Sequence, residues 1–277
     1  MAAVALLFLL QIPDPAGTAQ FEPLYRQELA LRQKQHGEKH ARVAQALRDL
    51  ALFLKAHTRN DEARSLLSQA LGIEERAEDC LALAELSPPH EAGPLLERSL
   101  KLKESPEAHH RLADLLAGAQ HLEPARQHYE RAVELFAQAG SDQLGLALND
   151  LGFLHESQQR FKEAEVYYRR ALAAHQKAHG PKHPEVGIAL NNLGSVVGAQ
   201  GRLAEAEPLL RQALTILEQT VGSVHERTAA CAANLGDLLS ALNRAAAAKP
   251  LYNRAIRIYE QLKMPANAAE IRERLSP

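Results

Sequence analysis

The stretch Ala189-Leu190-Asn191-Asn192-Leu193-Gly194 has two near copies, Ala147-Leu148-Asn149-Asp150-Leu151-Gly152 and Cys231-Ala232-Ala233-Asn234-Leu235-Gly236. Leu151, Leu193 and Leu235 stand 42 residues apart, and so do the three glycines. A fixed period of this size marks an array in which each supersecondary unit is buried by its neighbours. In each copy the step from the leucine to the next apolar anchor is 21 residues: Leu151 to Leu172, Leu193 to Leu214, Leu235 to Ile256. Two helices joined by a short turn fill that interval.

Outward from this core the same design recurs with less regularity. Val43, Ala46, Leu47, Leu50 and Leu54 follow the i, i+3, i+4, i+7 rhythm of a buried helical stripe, and Ala63, Leu66, Leu67, Ala70 and Leu71 follow it again. Asn60 is the expected N-cap between them. Ser87-Pro88-Pro89 cuts the next unit short, since Leu83 to Leu100 spans 17 residues where Leu50 to Leu71 spans 21. Ser105-Pro106-Glu107 supplies an N-cap, a first-turn proline and an acid near the positive helix end. The linker His36-Gly37-Glu38-Lys39-His40 reappears as His179-Gly180-Pro181-Lys182-His183, and its glycines read as left-handed helix-ending residues. The pattern gives a half-unit at 21–40, units at about 41–75, 78–104, 105–140, 141–183, 184–225 and 226–262, and a capping helix at 266–275. Residues 20–277 therefore read as one continuous solenoid of about six units.

Composition agrees with an all-α chain. Apolar residues make up 46% of it, with Ala and Leu dominant, aromatics at 4% and no Trp. The formal charge of −2 leaves no basic excess of the kind that marks nucleic-acid binding. Cys80 and Cys231 are isolated and belong to no C-x-x-C pair, so they read as small buried apolar residues, unbridged. His36/His40 and His179/His183 are four apart, but a helix-ending glycine separates each pair, which breaks the i, i+4 geometry of a zinc site. His109 and His110 are adjacent and point to different sides of a helix. No nucleophile elbow or phosphate-cradling loop is present, and no catalytic function, metal or cofactor is expected. Tyr167, Tyr168, Tyr252 and Tyr259 read as packing residues. Ala2 to Leu10 is apolar and is followed by Gly17-Thr18-Ala19, the form of an export signal at 1–19, although no Lys or Arg precedes it. The run is too short to span a bilayer.

Gly152, Ala164 and Ala171 stand 12 and then 7 apart, as do Gly194, Ala206 and Ala213, and Gly236, Ala248 and Ala255; Ala51, Ala63 and Ala70 share the spacing. This resembles the tetratricopeptide repeat, and the 42-residue period with its Asn-Asn-Leu-Gly phrase resembles the kinesin-light-chain-like branch of it. The resemblance implies a right-handed α-solenoid and binding of a partner peptide or protein segment on the face lined by the first helix of each unit. Carried over position by position, that face holds Asn149, Asp150 and Phe153; Asn191, Asn192 and Ser195; and Asn234 and Asp237. The matching positions are Gln45, Arg48, Asp49 and Leu52 in the first unit, and His110, Asp114 and Ala117 in the third. Asn and Asp are poor residues inside a helix, so their recurrence asks for a reason. Amides can pair with both the N–H and C=O groups of an extended peptide, or they can bond to the neighbouring helix and set repeat geometry. The sequence leaves both open. The positions that grip a C-terminal carboxylate in some members of the family lack their Lys/Arg cluster here, since Arg48 and Lys55 alone do not make it.

Overall fold

Fourteen α-helices, with no strand among the described residues, account for almost all of the chain in the computed structural model, which describes residues 19–275. The export-signal stretch, apart from Ala19, lies outside the described residues. A short 3₁₀ turn precedes α1 (Glu22–His36), and two hairpins of A and B helices follow: α2 (Ala41–Ala56) with α3 (Asn60–Ile73), and α4 (Ala77–Glu85) with α5 (Pro89–Leu102); α6 (Pro106–Gly118) and α7 (Leu122–Ala139) come next in the chain. Three more hairpins are α8 (Leu144–Ser157) with α9 (Phe161–His179), α10 (Pro184–Ala199) with α11 (Leu203–Thr220), and α12 (Glu226–Ala241) with α13 (Ala245–Gln261); α14 (Pro265–Leu275) closes the series. The chain divides into two compact units, one ending at Leu115 and one beginning at Leu116. Within each, successive helices pack as antiparallel neighbours, the arrangement of an α-solenoid. α4 has 9 residues against 16 in α2, the shortening imposed by Ser87-Pro88-Pro89.

In the second unit the hairpins close on glycine. A Cβ on Gly152 would lie 2.8 Å from the Tyr168 ring, one on Gly194 2.7 Å from Leu210 Cγ, and one on Gly236 2.8 Å from the Tyr252 ring. A second rung repeats seven residues earlier, where Gly145 lies against His175 and Gly187 against Leu217. Helix B thus rests a large side chain directly on the backbone of helix A. Leu193, Leu210, Leu235 and Tyr168 are buried around these contacts. In the first unit, Leu50, Ala51, Leu54, Ala63 and Leu67 form the corresponding core.

Charged residues on the B helices join one hairpin to the next. Glu165 accepts from Arg169 Nε at 2.9 Å and from Arg202 Nη1 at 2.6 Å. Glu207 does the same with Arg211 (2.9 Å) and Arg244 (2.8 Å), and Glu22 with Arg26 (2.8 Å) and Arg59 (2.6 Å). In all three cases the second arginine is the N-cap residue of the next B helix. Exposed ion pairs contribute little each, so their value lies in fixing which helix faces which. Burial works against the Glu165 carboxylate, but hydrogen bonds from Gln200, Arg169 and Arg202 hold it below the ordinary carboxylate range.

Several helix ends differ from the sequence expectation. Asn60 is the first residue of α3, not its cap; Arg59 occupies the N-cap without a side-chain capping bond, because Thr58 takes the left-handed turn at φ 60°. Gln159, Gly201 and Asn243 take the matching position at φ 59°, 80° and 57°. Gly37 and Gly180 do have positive φ, but with ψ of 160° and 168°, an extended region open essentially to glycine, not the left-handed helical one. The histidines that follow them are helix caps. His40, His183 and His225 each accept, through Nδ1, the backbone N–H two residues on, at 3.1, 3.3 and 3.1 Å. Ser105 caps α6 as expected, accepting from Ala108 N at 3.2 Å. Both cysteines are free and buried, and burial pushes the Cys231 thiol up to about 12. Tyr168, Tyr252 and Tyr259 are buried, and Tyr167 stacks on His155 at 5.1 Å.

Two stability outcomes follow from this packing. Gly194→Ala inserts a methyl group against Leu210 and should cost about 1–2 kcal/mol after its gain in helix propensity, whereas Gly198→Ala meets only ordinary contacts and should gain about 0.5–1 kcal/mol. Urea unfolding of both variants checks the sign at each site. His155 is 3% exposed, and neither ring nitrogen has a partner among the described residues; Val197 and Leu239 hold the same place one and two repeats on. Burial, then Arg160, holds its pKa below the ordinary imidazole value, and burial does the same at His175. A depressed pKa means the fold favours the neutral ring. That stability is whole above about pH 6.5 and drains away as pH falls. His155→Leu should therefore stabilise by about 1 kcal/mol at pH 7 and by more at pH 5, measured by thermal melts at both values.

Candidate functional site

An α-helix brings residues i, i+3, i+4 and i+7 to one face. On α8 that face is Leu146, Asn149, Asp150 and Phe153; on α10 it is Ile188, Asn191, Asn192 and Ser195; on α12 it is Ala230, Ala233, Asn234 and Asp237. The opposite stripes, with Leu148, Leu151, Leu190, Leu193, Ala232 and Leu235, are buried. The expected site residues therefore fall in corresponding places on three successive A helices.

The amides on this face are bonded to one another. Asn192 Nδ2 donates to Asn149 Oδ1 at 2.9 Å, and Asn234 Nδ2 donates to Asn191 Oδ1 at 3.0 Å. Within α10, Asn191 Nδ2 reaches Asn192 Oδ1 at 3.3 Å. The ladder runs between residues 43 apart, so it is offset by one place from the repeat. It gives the amides a structural role: each inter-helix bond aligns one A helix with the next. It does not exhaust them, because Asn149 Nδ2 and Asn234 Oδ1 at its two ends have no protein partner among the described residues.

Asp237 is differently placed. Its carboxylate accepts from Tyr252 Oη at 2.8 Å and pairs with Arg274 of α14, so it anchors the closing helix. Ser195 and Asp150 are half-buried on the face. Phe153 stands out, with 64% of its surface exposed, and Leu146, about two turns away, is 44% exposed. Leu146 was missed by sequence reasoning. Its signal was the i, i+3, i+4, i+7 relation to Asn149, Asp150 and Phe153, masked because an exposed leucine reads as one more core residue.

In the first unit the matching positions are engaged internally. Arg48 and Asp79 form a buried pair, with Arg48 Nε 2.8 and 2.7 Å from the two carboxylate oxygens, and Arg48 Nη1 reaches Glu74 at 3.1 Å. Burial raises the Asp79 carboxyl above its ordinary value and the guanidinium opposes that rise. Gln45 Nε2 donates to Asp49 at 2.8 Å, and Lys55 is paired with Glu85. Leu52 is exposed, while His110 is buried. Arg48 and Lys55 are thus taken up by neighbouring helices. The His36/His40 and His179/His183 rings stack on each other at 4.7 and 4.3 Å between centroids. No described helix is long and apolar enough to cross a membrane.

Comparison with known proteins agrees with this geometry. Residues 142–219 and 186–261 match the tetratricopeptide repeat family. Among solved structures, the chain is similar to PilW, a widely conserved type IV pilus biogenesis factor, at 19% identity and TM-score 0.65 over 83% of this chain and 98% of that one. It is similar to pilF of Pseudomonas aeruginosa at 17% identity and TM-score 0.60, over 82% and 97%. It is also similar to BtubC (BKLC) from P. vanneervenii at 20% identity and TM-score 0.50, over 90% and 91%. At these identities the likeness is one of fold. No curated protein matches the chain.

Proposed function

We propose, for a chain whose residues 142–261 are tetratricopeptide repeats, an interaction scaffold that binds an extended segment of a partner protein across the A-helix face of α8, α10 and α12. The observation that carries this reading is Phe153. An aromatic side chain 64% open to water, with the exposed Leu146 on the same helix face about two turns away, flanks a row of amides whose terminal groups still lack partners. Aromatic anchors beside hydrogen-bonding groups are what peptide recognition uses: the ring supplies buried area, and the amides read the peptide backbone. Asp237 is left out of the contact surface, since Tyr252 and Arg274 hold it. The kinesin-light-chain-like affinity of the 42-residue period belongs to the same proposal.

A second reading has its own support. The Asn192–Asn149 and Asn234–Asn191 bonds are what a purely structural or regulatory module needs, one that works through its edges or by self-association. The two readings part at Phe153, which makes no ladder bond. Peptides selected on the intact chain from a displayed random library are to be measured by fluorescence anisotropy. Phe153→Ala should weaken them at least tenfold with an unchanged melting temperature. Replacing Asn149, Asn191 and Asn234 together by Ala should lower both binding and stability, the latter by about 1 kcal/mol for each lost inter-helix bond. Peptides that bind Phe153→Ala and the triple variant as well as the parent would overturn groove recognition.

A further inference from the structure

The end of α1 and the first turns of α2 frame a cleft of about 480 Å³ whose walls include Glu28, Arg32, His36, Arg42 and Arg76. Three arginines on one cleft is unusual in a chain with a formal charge of −2. The same linker elsewhere in the chain shows what an ordinary solution looks like. Arg42 corresponds to Glu185 in α10 and to Arg227 in α12, and those two pair with each other at 3.1 Å. One helix start supplies the acid and the next supplies the base. In the first unit Arg42 stands in the acid's place; at the next helix start Arg76 is the N-cap, and Glu78, two residues on, is taken up by Lys103.

The carboxylates nearby do not make good the difference. Glu28 is engaged by Arg32 Nε at 2.7 Å. Glu74 is shared between Arg76, at 2.9 Å, and the buried Arg48, at 3.1 Å. Arg42 has no carboxylate partner among the described residues; its Nη1 rests 3.2 Å from His36 Nε2. Desolvation, followed by the electrostatic influence of Arg42, His40 and Arg32, holds His36 below its ordinary pKa, which fits a neutral ring accepting that contact. The guanidinium groups are also fixed in place. Arg32 Nη1 donates to the Arg42 carbonyl at 3.1 Å, and Arg76 leans on Gln45 Oε1 at 3.4 Å. The cleft is bounded by the starts of α2 and α4, whose positive dipole ends add to the same field.

We propose that this cleft binds a phosphate-class oxyanion, free or carried on a partner segment. Guanidinium forks suit phosphate oxygens because each gives two parallel hydrogen bonds. Arg42 is the group that no carboxylate occupies, Arg32 and Arg76 add their charge beside it, and the cleft has room for a tetrahedral anion. The site is separate from the α8–α12 face and does not depend on the function proposed for it.

The test is a titration of inorganic phosphate into the full chain at constant ionic strength, with chloride as the reference salt, followed by NMR of the arginine Nε–Hε groups. A saturable shift with roughly millimolar half-saturation, confined to Arg32, Arg42 and Arg76, is expected. Arg42→Glu installs the residue found at position 185 and should abolish it; Arg42→Ala, which adds no competing carboxylate, should weaken it at least fivefold. Circular dichroism of both variants should match the parent. A phosphoserine peptide that binds ten times more tightly than inorganic phosphate and than its unphosphorylated form places the anion on a partner segment; equal binding of phosphate and phosphopeptide assigns a free anion. The variant with Asn149, Asn191 and Asn234 replaced by Ala should titrate as the parent does. Shifts that do not saturate, that chloride reproduces, or that persist in Arg42→Glu would overturn the proposal.

Discussion

Close approach of two helices without Cβ atoms between them is the constraint from which the second unit is built. Where Gly152, Gly194 and Gly236 meet Tyr168, Leu210 and Tyr252, a side chain of helix B lies on bare backbone of helix A. Glycine inside a helix costs roughly 0.5–1 kcal/mol relative to alanine. Dispersion contacts over a large buried side chain offset that cost, because protein interiors leave almost no unfilled space. With hairpins that tight, adjacent A helices come within hydrogen-bond reach of each other, and the asparagines of α8, α10 and α12 close the gap. The amide ladder thus lies on the same A helices that carry the glycine contacts.

Side chains of the A helices sort into those that hold the stack and those that face outward. Asp237, Arg48 and Asp79 belong to the first kind; each is held by partners on other helices. Phe153 and the open ends of the amide ladder belong to the second. On the proposed groove reading, a face made from residues that also align the scaffold couples recognition to rigidity, so that a partner would meet a surface already ordered and lose little to side-chain freezing. The arginine cleft in the first unit shows the opposite condition, in which a charge pattern balanced elsewhere in the chain is left open.

The helices and their pairing were legible because the period of 42 is written in leucine, glycine and alanine, whose roles depend on size alone. The site residues were legible as positions, through their place before each Leu-Gly. Their bonds were not. Asn192 reaches Asn149 and Asn234 reaches Asn191, partners offset by one place from the repeat, and only the relative slide of two helices sets such an offset. Asn60 misled because a good capping residue is no cap when the preceding turn, closed by Thr58 in the left-handed region, puts Arg59 there instead. The capping role of His40, His183 and His225 was hidden for a similar reason: histidine is outside the usual capping set and caps only through an unprotonated Nδ1. The division near Leu115 into two compact units left no mark in composition, since no Gly- or Ser-rich linker accompanies it.

The glutamate that joins successive B helices has a genealogical consequence. Glu165 takes Arg202 and Glu207 takes Arg244 at the same interval, and the amide bonds keep their own constant interval. Excision of residues 184–225 would bring Arg244 to the place of Arg202 and Asn234 to the place of Asn192. Duplication of the same segment would offer each new copy the partners it requires. The Glu–Arg and amide fastenings are therefore interchangeable, and for these two joints the array can lengthen or contract by whole repeats through unequal recombination without a new partner.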